Sequence, residues 1–111
     1  VGPQPGGDLS VDVVITNHDY GRFLPEAIES ALAQTHPELG VVVVDDGSGD
    51  DSRQVLRDFE DRVEVVLKEQ GGQASALNAG FDRCRGEVLL VLDADDRLRP
   101  DAAAQVAAAF A

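Results

Sequence analysis

Asp93-Ala94-Asp95-Asp96 follows directly on the apolar run Val88 to Leu92 and is the densest chemistry in a chain of 111 residues. Asp93 and Asp95 stand two apart, so an extended backbone aims both side chains the same way, while a turn lets them converge on one ion. Crowded carboxylates repel one another. A divalent cation, Mn²⁺ or Mg²⁺, removes that conflict and leaves open positions for two phosphate oxygens. Asp93 and Asp95 are therefore the metal candidates, with Asp96 read as shaping the turn. An isolated Asp-x-Asp also serves as a turn and helix cap ahead of Pro100; its place at the end of an apolar run favours the ion.

Three other polar clusters close apolar runs. In Asp45-Asp46-Gly47-Ser48 a carboxylate can accept the imide proton of a uracil or thymine ring, or bind a ribose hydroxyl, and Gly47 supplies a tight turn. A simple turn with a helix cap accounts for these letters equally well. Thr16 can hydrogen-bond a base, and His18 can stack on it or meet phosphates, although a lone His is more often a surface residue. His36, at a helix end before Pro37, reads as structural. Gly71-Gly72-Gln73 lacks both the Gly-x-Gly-x-x-Gly fingerprint and the Lys of a phosphate loop, which disfavours classical dinucleotide and triphosphate binding. Gly72 still lets backbone approach a base, and Asn78 can brace the loops nearby. Arg22, Arg83 and Arg85 read as solvated surface charges.

The elements that position these residues alternate. Valine-rich runs Val11 to Ile15, Val41 to Val44, Val63 to Leu67 and Val88 to Leu92 predict strands, and their near-continuous apolar character predicts burial on both faces. Between them, Phe23, Leu24, Ala27, Ile28, Ala31 and Leu32 recur at helical spacing, with Pro25 in the first turn. A second helix starts at Asp51-Ser52 and carries Val55, Leu56 and Phe59. A third carries Ala74, Leu77, Ala79 and Phe81 and ends near Gly86, and a fourth starts at Pro100-Asp101. Such β-α alternation predicts right-handed crossovers and an α/β, Rossmann-like, doubly wound, mainly parallel sheet flanked by helices. Its first strand is central and its ligands sit beyond the carboxyl ends of the strands.

Bulk properties restrict the partners. With 43% hydrophobic and 27% charged residues, the composition is that of a single globular domain able to bury its own core. Twenty-one acidic residues against nine basic ones give a net charge of -12, which opposes nucleic-acid binding. A phosphate-bearing ligand therefore needs a cation to accompany it, and carboxylates recruit a metal where an arginine cluster is lacking. The lone Cys84 excludes an internal disulfide and a thiolate metal site. No apolar run is long enough to span a bilayer and no signal-peptide pattern is present, so the expected location is cytoplasmic, including the inner membrane face through segments outside this chain. Residues 1–9, opening Val-Gly-Pro-Gln-Pro-Gly-Gly, are expected to be a disordered leader or an appended tail.

Taken together, in order and spacing, these segments resemble family 2 of the glycosyltransferases, with the A-type glycosyltransferase fold, over residues 10–111. The carrying segments are Val13-Val14-Ile15-Thr16-Asn17, Arg22-Phe23-Leu24 through Ser30-Ala31-Leu32-Ala33-Gln34-Thr35, Val43-Val44-Asp45-Asp46-Gly47-Ser48, Gly72 to Gly80, and Leu92-Asp93-Ala94-Asp95-Asp96. The resemblance implies strand order 3-2-1-4, with Thr16, Asp46 and Asp93 lining one crevice. It implies that Asp46 reads the base, that Asp93 reaches the ribose or the metal, and that Asp95 ligates Mn²⁺ or Mg²⁺ bridging a diphosphate. Thr16, His18, Asp46, Gly72 and Asp93 form the expected nucleotide set. The implied activity is inverting, metal-dependent transfer from a nucleoside-diphosphate sugar, with a lean to UDP, to the hydroxyl of an unidentified glycan, lipid or other acceptor.

Two departures stand out. The family usually has Tyr then Asn where this chain has His18-Asp19, which bears on base stacking. The family's catalytic base, an Asp or Glu, belongs to a second half expected beyond Ala111; residues 10–111 then form the donor-binding part, truncated before the acceptor half. Asp19, Asp96 and Asp101 are poor substitutes for that base. Apolar sheet surface that the second half would cover is expected to favour homo-oligomers. The alternative is a non-catalytic nucleotide- or metal-binding or interaction domain of the same fold. A receiver-like signalling domain needs an acidic pair after the first strand and a Lys after a fifth, and neither is visible.

Overall fold

The computed structural model describes residues 9–110. Most of the expected leader, residues 1–8, lies outside the described residues; Leu9 packs against Val11, Val88, Ala103 and Ala107. The elements run β1 (Val11–Asn17), α1 (Leu24–Leu32), β2 (Leu39–Asp46), α2 (Ser52–Arg57), β3 (Glu64–Lys68), α3 (Gln73–Phe81), β4 (Val88–Asp93) and α4 (Ala102–Ala109). All three strand pairings are parallel and the order is β3-β2-β1-β4. Winding therefore reverses at β1, and the register sets Thr16 between Val44 and Asp93. The expected architecture and strand order are both present.

Burial follows position in the sheet. Every residue of β1 is buried, as are the last six of β2, because both strands have neighbours on each side. One face packs Val13, Ile15, Val41, Val43 and Leu92 against Leu24, Ala27, Ile28 and Ala31 of α1 and against Leu56 and Phe59. Removing each valine, leucine, isoleucine or phenylalanine side chain of this set from water contributes about 1.5–3 kcal/mol. Alpha-4 joins the same face through Ala103 and Ala107. The opposite face carries α3 alone, with Ala76 against Val42 and Val44.

Two expectations are corrected here. Beta-3 and β4 are not buried on both faces: Leu67, Leu89 and Val91 are 52%, 41% and 43% exposed. Both are edge strands: Leu67 shares its face with Val65, at the margin of the α1 and α2 layer, whereas Leu89 and Val91 lie on the face of α3, which sits over β1 and β2, so the apolar sheet surface anticipated from the sequence is present at β4. The other correction concerns α3, which ends at Phe81 rather than near Gly86 and buries Ala76 and Gly80 instead of Ala74, Leu77, Ala79 and Phe81. A β-carbon at Gly80 would stand 2.6 Å from Val14 Cγ1. The helix therefore seats its smallest side on the sheet and turns its larger residues outward.

Asp12, a charged residue within β1 that the apolar pattern gives no reason to expect, is buried. Its carboxylate accepts the backbone N–H groups of Arg85 and Gly86, tying the loop after α3 to the start of the central strand. His36 is buried as a structural residue, its Nε2 against the Leu9 carbonyl. Among the described residues no helix is long and apolar enough to cross a membrane. Asp12→Ala leaves two loop amides without their acceptor and should destabilise the fold by about 1–3 kcal/mol. Leu89→Ala on the open face should change it by less than about 0.5 kcal/mol. Urea unfolding midpoints at constant slope check both, and equal effects would contradict the assignment.

Candidate functional site

At the carboxyl ends of β1, β2 and β4 lies a cleft of about 350 Å³, lined by Thr16, Asn17, His18, Tyr20, Asp46, Gln73, Ala76, Asp93, Ala94 and Asp95. It sits where the winding reverses, as the fold requires of a ligand site. Thr16 forms its floor, and its Oγ1 accepts from Gln73 Nε2 at 3.1 Å. His18 Nδ1 is 2.7 Å from the Asp46 carbonyl, which can only accept, so that nitrogen carries the hydrogen. Its Nε2 then faces Gln70 Nε2 and Asp19 Oδ2, both at 3.3 Å.

Asp45 and Asp46 are neighbours on one strand and point to opposite faces, which divides their work. Asp46 lines the cleft with both oxygens engaged. Lys68 Nζ and Gly71 N–H donate to Oδ1 at 2.7 and 2.9 Å, and Gly72 N–H donates to Oδ2 at 3.0 Å. Burial pushes this carboxyl up, but the Lys68 ammonium and the two amides outweigh it and hold Asp46 below the usual carboxylate range. Gly72, with φ of 93°, lies outside the cleft lining and serves Asp46 through its amide. Asn78 is exposed on α3.

Asp45 is fully buried and carries no ligand-facing surface. Its carboxylate accepts from Asn17 Nδ2, Ser48 Oγ, Ser48 N–H and Arg53 Nε, at 2.9, 2.6, 3.2 and 3.0 Å. The loops after β1 and β2 are laced further by Asp19 N–H to Ser48 Oγ, Gly49 N–H to Asp19 Oδ1 and Gly21 N–H to Asp50 Oδ2. Gly47 takes the left-handed turn, φ 69°, and a β-carbon there would meet Gln70 N at 2.4 Å. Only glycine lets the two strand-end loops close this tightly.

Asp93, Asp95 and Asp96 bring one carboxylate oxygen each to within 4.8 Å of one another, all three being exposed. Asp96 N–H donates to the Asp93 carbonyl at 2.9 Å, the turn expected of it, and that turn also adds its carboxylate to the pair read from the sequence. Among the described residues none of the three has a salt-bridge partner. A convergent, all-oxygen, uncompensated set of this kind fits a hard divalent cation such as Mg²⁺ or Mn²⁺.

The structure thus gathers Thr16, His18, Asp46, Asp93 and Asp95 around one cleft and leaves Gly72 at its edge. Asn17, Tyr20, Gln73 and Lys68 are additions. Asn17 and Gln73 were legible only as positions, one the last residue of a strand and the other the first of a helix behind two glycines. The pairing of Lys68 with Asp46 depends on the β2–β3 register, which no local pattern announces.

The family model described as glycosyl transferase family 2 matches residues 12–111. The chain belongs to this family. It is 43% identical over 96 residues to an uncharacterized glycosyltransferase of Nostoc sp., covering 83% of this chain and 30% of that protein. The chain therefore spans under a third of that relative's length. The fold superposes on a crystal structure of S. aureus TarS with a TM-score of 0.80 and 26% identity, over 90% of this chain and 32% of that one. It also superposes on the mannosyltransferase PcManGT of Pyrobaculum calidifontis, in complex with GDP-Man and Mn²⁺, with a TM-score of 0.77 and 27% identity, over 98% and 33% of the two chains.

Asp45 should make this family 2 domain sensitive to acid. Burial pushes its carboxyl up, yet the hydrogen bonds from Ser48, Asn17 and Arg53 prevail and hold it below its ordinary value of 3.8. A depressed folded-state pKa contributes stability that is present above the unfolded value and is lost as pH falls through the folded one. Asp46 and Asp50 are shifted in the same direction. Urea unfolding should therefore show stability falling steeply below about pH 4. Asp45→Ala should cost about 2–3 kcal/mol at neutral pH, by orphaning buried donors, and should flatten that acid slope. An unchanged slope would remove Asp45 from the account.

Proposed function

We propose that the chain binds a nucleoside-diphosphate sugar in this cleft and forms the donor side of a metal-dependent, inverting glycosyltransferase. Family membership supports sugar transfer. The single observation that carries the site is the convergence of the Asp93, Asp95 and Asp96 carboxylates at one end of a cleft whose other end is Asp46. The cleft's volume of about 350 Å³ falls within the ~300–1,000 Å³ usual for small-ligand sites. Manganese accompanies GDP-Man in the PcManGT complex, which supports the same cation class here.

Each end of the cleft has a task suited to its chemistry. Asp46, ionised and fixed by Lys68 and two amides, accepts an N–H of the base. Thr16, on the floor beside Gln73, contacts the nucleoside. Asp93 and Asp95 would hold a divalent cation, with Asp96 adding a third carboxylate, and a cation bound there would supply Lewis acidity to the departing diphosphate. His18, with Nδ1–H given to the Asp46 carbonyl, keeps its ring at the cleft wall, where it can lie against the base or approach phosphate.

In the transfer we assign, the acceptor oxygen attacks the anomeric carbon while the bond from that carbon to the diphosphate oxygen breaks, inverting the centre. The acceptor proton passes to a carboxylate base. We place that base in residues beyond 111, because the cleft's own carboxylates have other tasks: Asp46 is clasped, and Asp93, Asp95 and Asp96 would hold the cation.

Calorimetry of the chain with UDP in Mn²⁺ tests the reading. We expect saturable binding that chelation of the metal abolishes, and that Asp95→Ala weakens by at least about tenfold, corresponding to some 1.4 kcal/mol. Binding that is indifferent both to chelation and to Asp95→Ala would defeat the metal-dependent assignment, and no binding at all would defeat the nucleotide one.

A further inference from the structure

The Asp46 carboxylate is engaged before any ligand arrives, and unevenly so. Oδ1 accepts two hydrogen bonds, from Lys68 Nζ and Gly71 N–H, whereas Oδ2 accepts one, from Gly72 N–H. A carboxylate offers about four lone-pair positions, two on each oxygen. Three are filled, and the remaining one is on Oδ2.

We propose that Lys68 is a positioning residue that determines base specificity. By saturating Oδ1 together with Gly71, it leaves Asp46 a single acceptor position and so selects a base with one imide N–H, uracil or thymine, over guanine. Guanine presents N1–H and an N2 amino hydrogen side by side, a pair that needs both oxygens of a carboxylate. With Oδ1 taken, one of those donors is stranded on binding, and a stranded polar group is the strongest means a site has of rejecting a ligand. Cytosine is disfavoured differently: its N4 amino group can donate to Oδ2, but the neighbouring ring N3 is an acceptor and the ionised Asp46 has no hydrogen to offer it.

Lys68 is built to hold this position. It is the residue paired with Asp46 in the β2–β3 register, so the two side chains leave the sheet next to each other. Its side chain is 19% exposed, and Nζ donates a second time, to the Glu69 carbonyl at 2.7 Å. Arg53 Nη2 donates to the Lys68 carbonyl at 3.2 Å, anchoring the end of β3 to the network around Asp45. An ammonium with two fixed acceptors loses little further freedom when a ligand arrives, so its hold on Oδ1 persists in the complex.

This inference rests on the nucleotide reading above and adds the residue that sets base choice. Its test is the ratio of affinities for UDP and GDP, measured by calorimetry on the intact chain in Mn²⁺. The parent should favour UDP by about tenfold or more, Lys68→Met should narrow that preference by about tenfold, and Lys68→Arg, which keeps a cationic donor, should retain it. A parent that binds GDP as tightly as UDP, or a Lys68→Met variant that weakens both and leaves the ratio unmoved, overturns the proposal, since a merely structural lysine would act on both alike. A probe without any substitution covers the case of a Met variant that does not fold: 3-methyl-UDP, which lacks the imide hydrogen, should bind the parent about tenfold more weakly than UDP. Equal affinity for the two would also overturn it. Binding of neither UDP nor GDP defeats the nucleotide reading and this inference with it, whereas binding with the wrong ratio defeats this inference alone.

Discussion

A buried carboxylate at the end of β2 holds the working end of this protein together. Asp45 has no contact with solvent, and its two oxygens accept four hydrogen bonds from three elements: Asn17 at the end of β1, Ser48 in the loop after β2, and Arg53 in α2. An ionised group in that position would be costly if any donor were lost, so the network is either complete or strongly destabilising. Arg53 extends it to the end of β3 through the Lys68 carbonyl. The consequence is that the carboxyl ends of three neighbouring strands are fixed relative to one another by one charge. Thr16, Asp46 and Lys68 each inherit their positions from it.

How much of this could be read from letters alone follows from the range of the forces involved. Alternation of valine-rich runs with helical spacing is local, and the parallel sheet with its loops at one end was legible from it. Register is not local. The adjacency of Thr16 and Asp93 depends on β1 pairing with β4 across more than seventy residues, and only the likeness to a family supplied that neighbour relation in advance. The Asp45-Asp46 pair shows the same limit. Either carboxylate is chemically able to read a base, and the strand's two-residue period separates them to opposite faces without saying which face holds the cleft. The position of α3 decides that, and α3 has small residues on its buried side, so its larger apolar residues point to the wrong inward face.

The uneven covering of the sheet has the same origin. Three helices share one face, while the other has α3 alone, seated close over β1 and β2 because Gly80 permits it. Leu89 and Val91 continue the apolar stripe of that face onto β4 and are left open. The sequence of β4 is thus that of a strand with both sides covered, in a setting that covers one. The Nostoc relative is about three times as long as this chain, since 96 matched residues make up 30% of it.

Charge distribution bears on how so acidic a chain would present the proposed site for a phosphate-bearing ligand. A net charge of -12 would repel a diphosphate if it were spread evenly over the cleft. It is not spread evenly. Asp45 is matched by Arg53, Asp46 by Lys68 and two amides, and Asp50 by the Ser52 hydroxyl and the amides of Gly21 and Ser52. Compensation therefore reaches every buried acidic group around the loops after β1 and β2 and stops at the end of β4. Asp93, Asp95 and Asp96 have no salt-bridge partner among the described residues, and their charges are concentrated within a few ångströms and open to solvent. That residual field attracts a small divalent ion more strongly than a monovalent one, because the attraction scales with the ion's charge. A divalent ion held there would cancel two of the three negative charges and offer its open coordination positions to phosphate oxygens. The acidity of the chain and the anionic ligand proposed for it are then consistent, with a cation as the step between them.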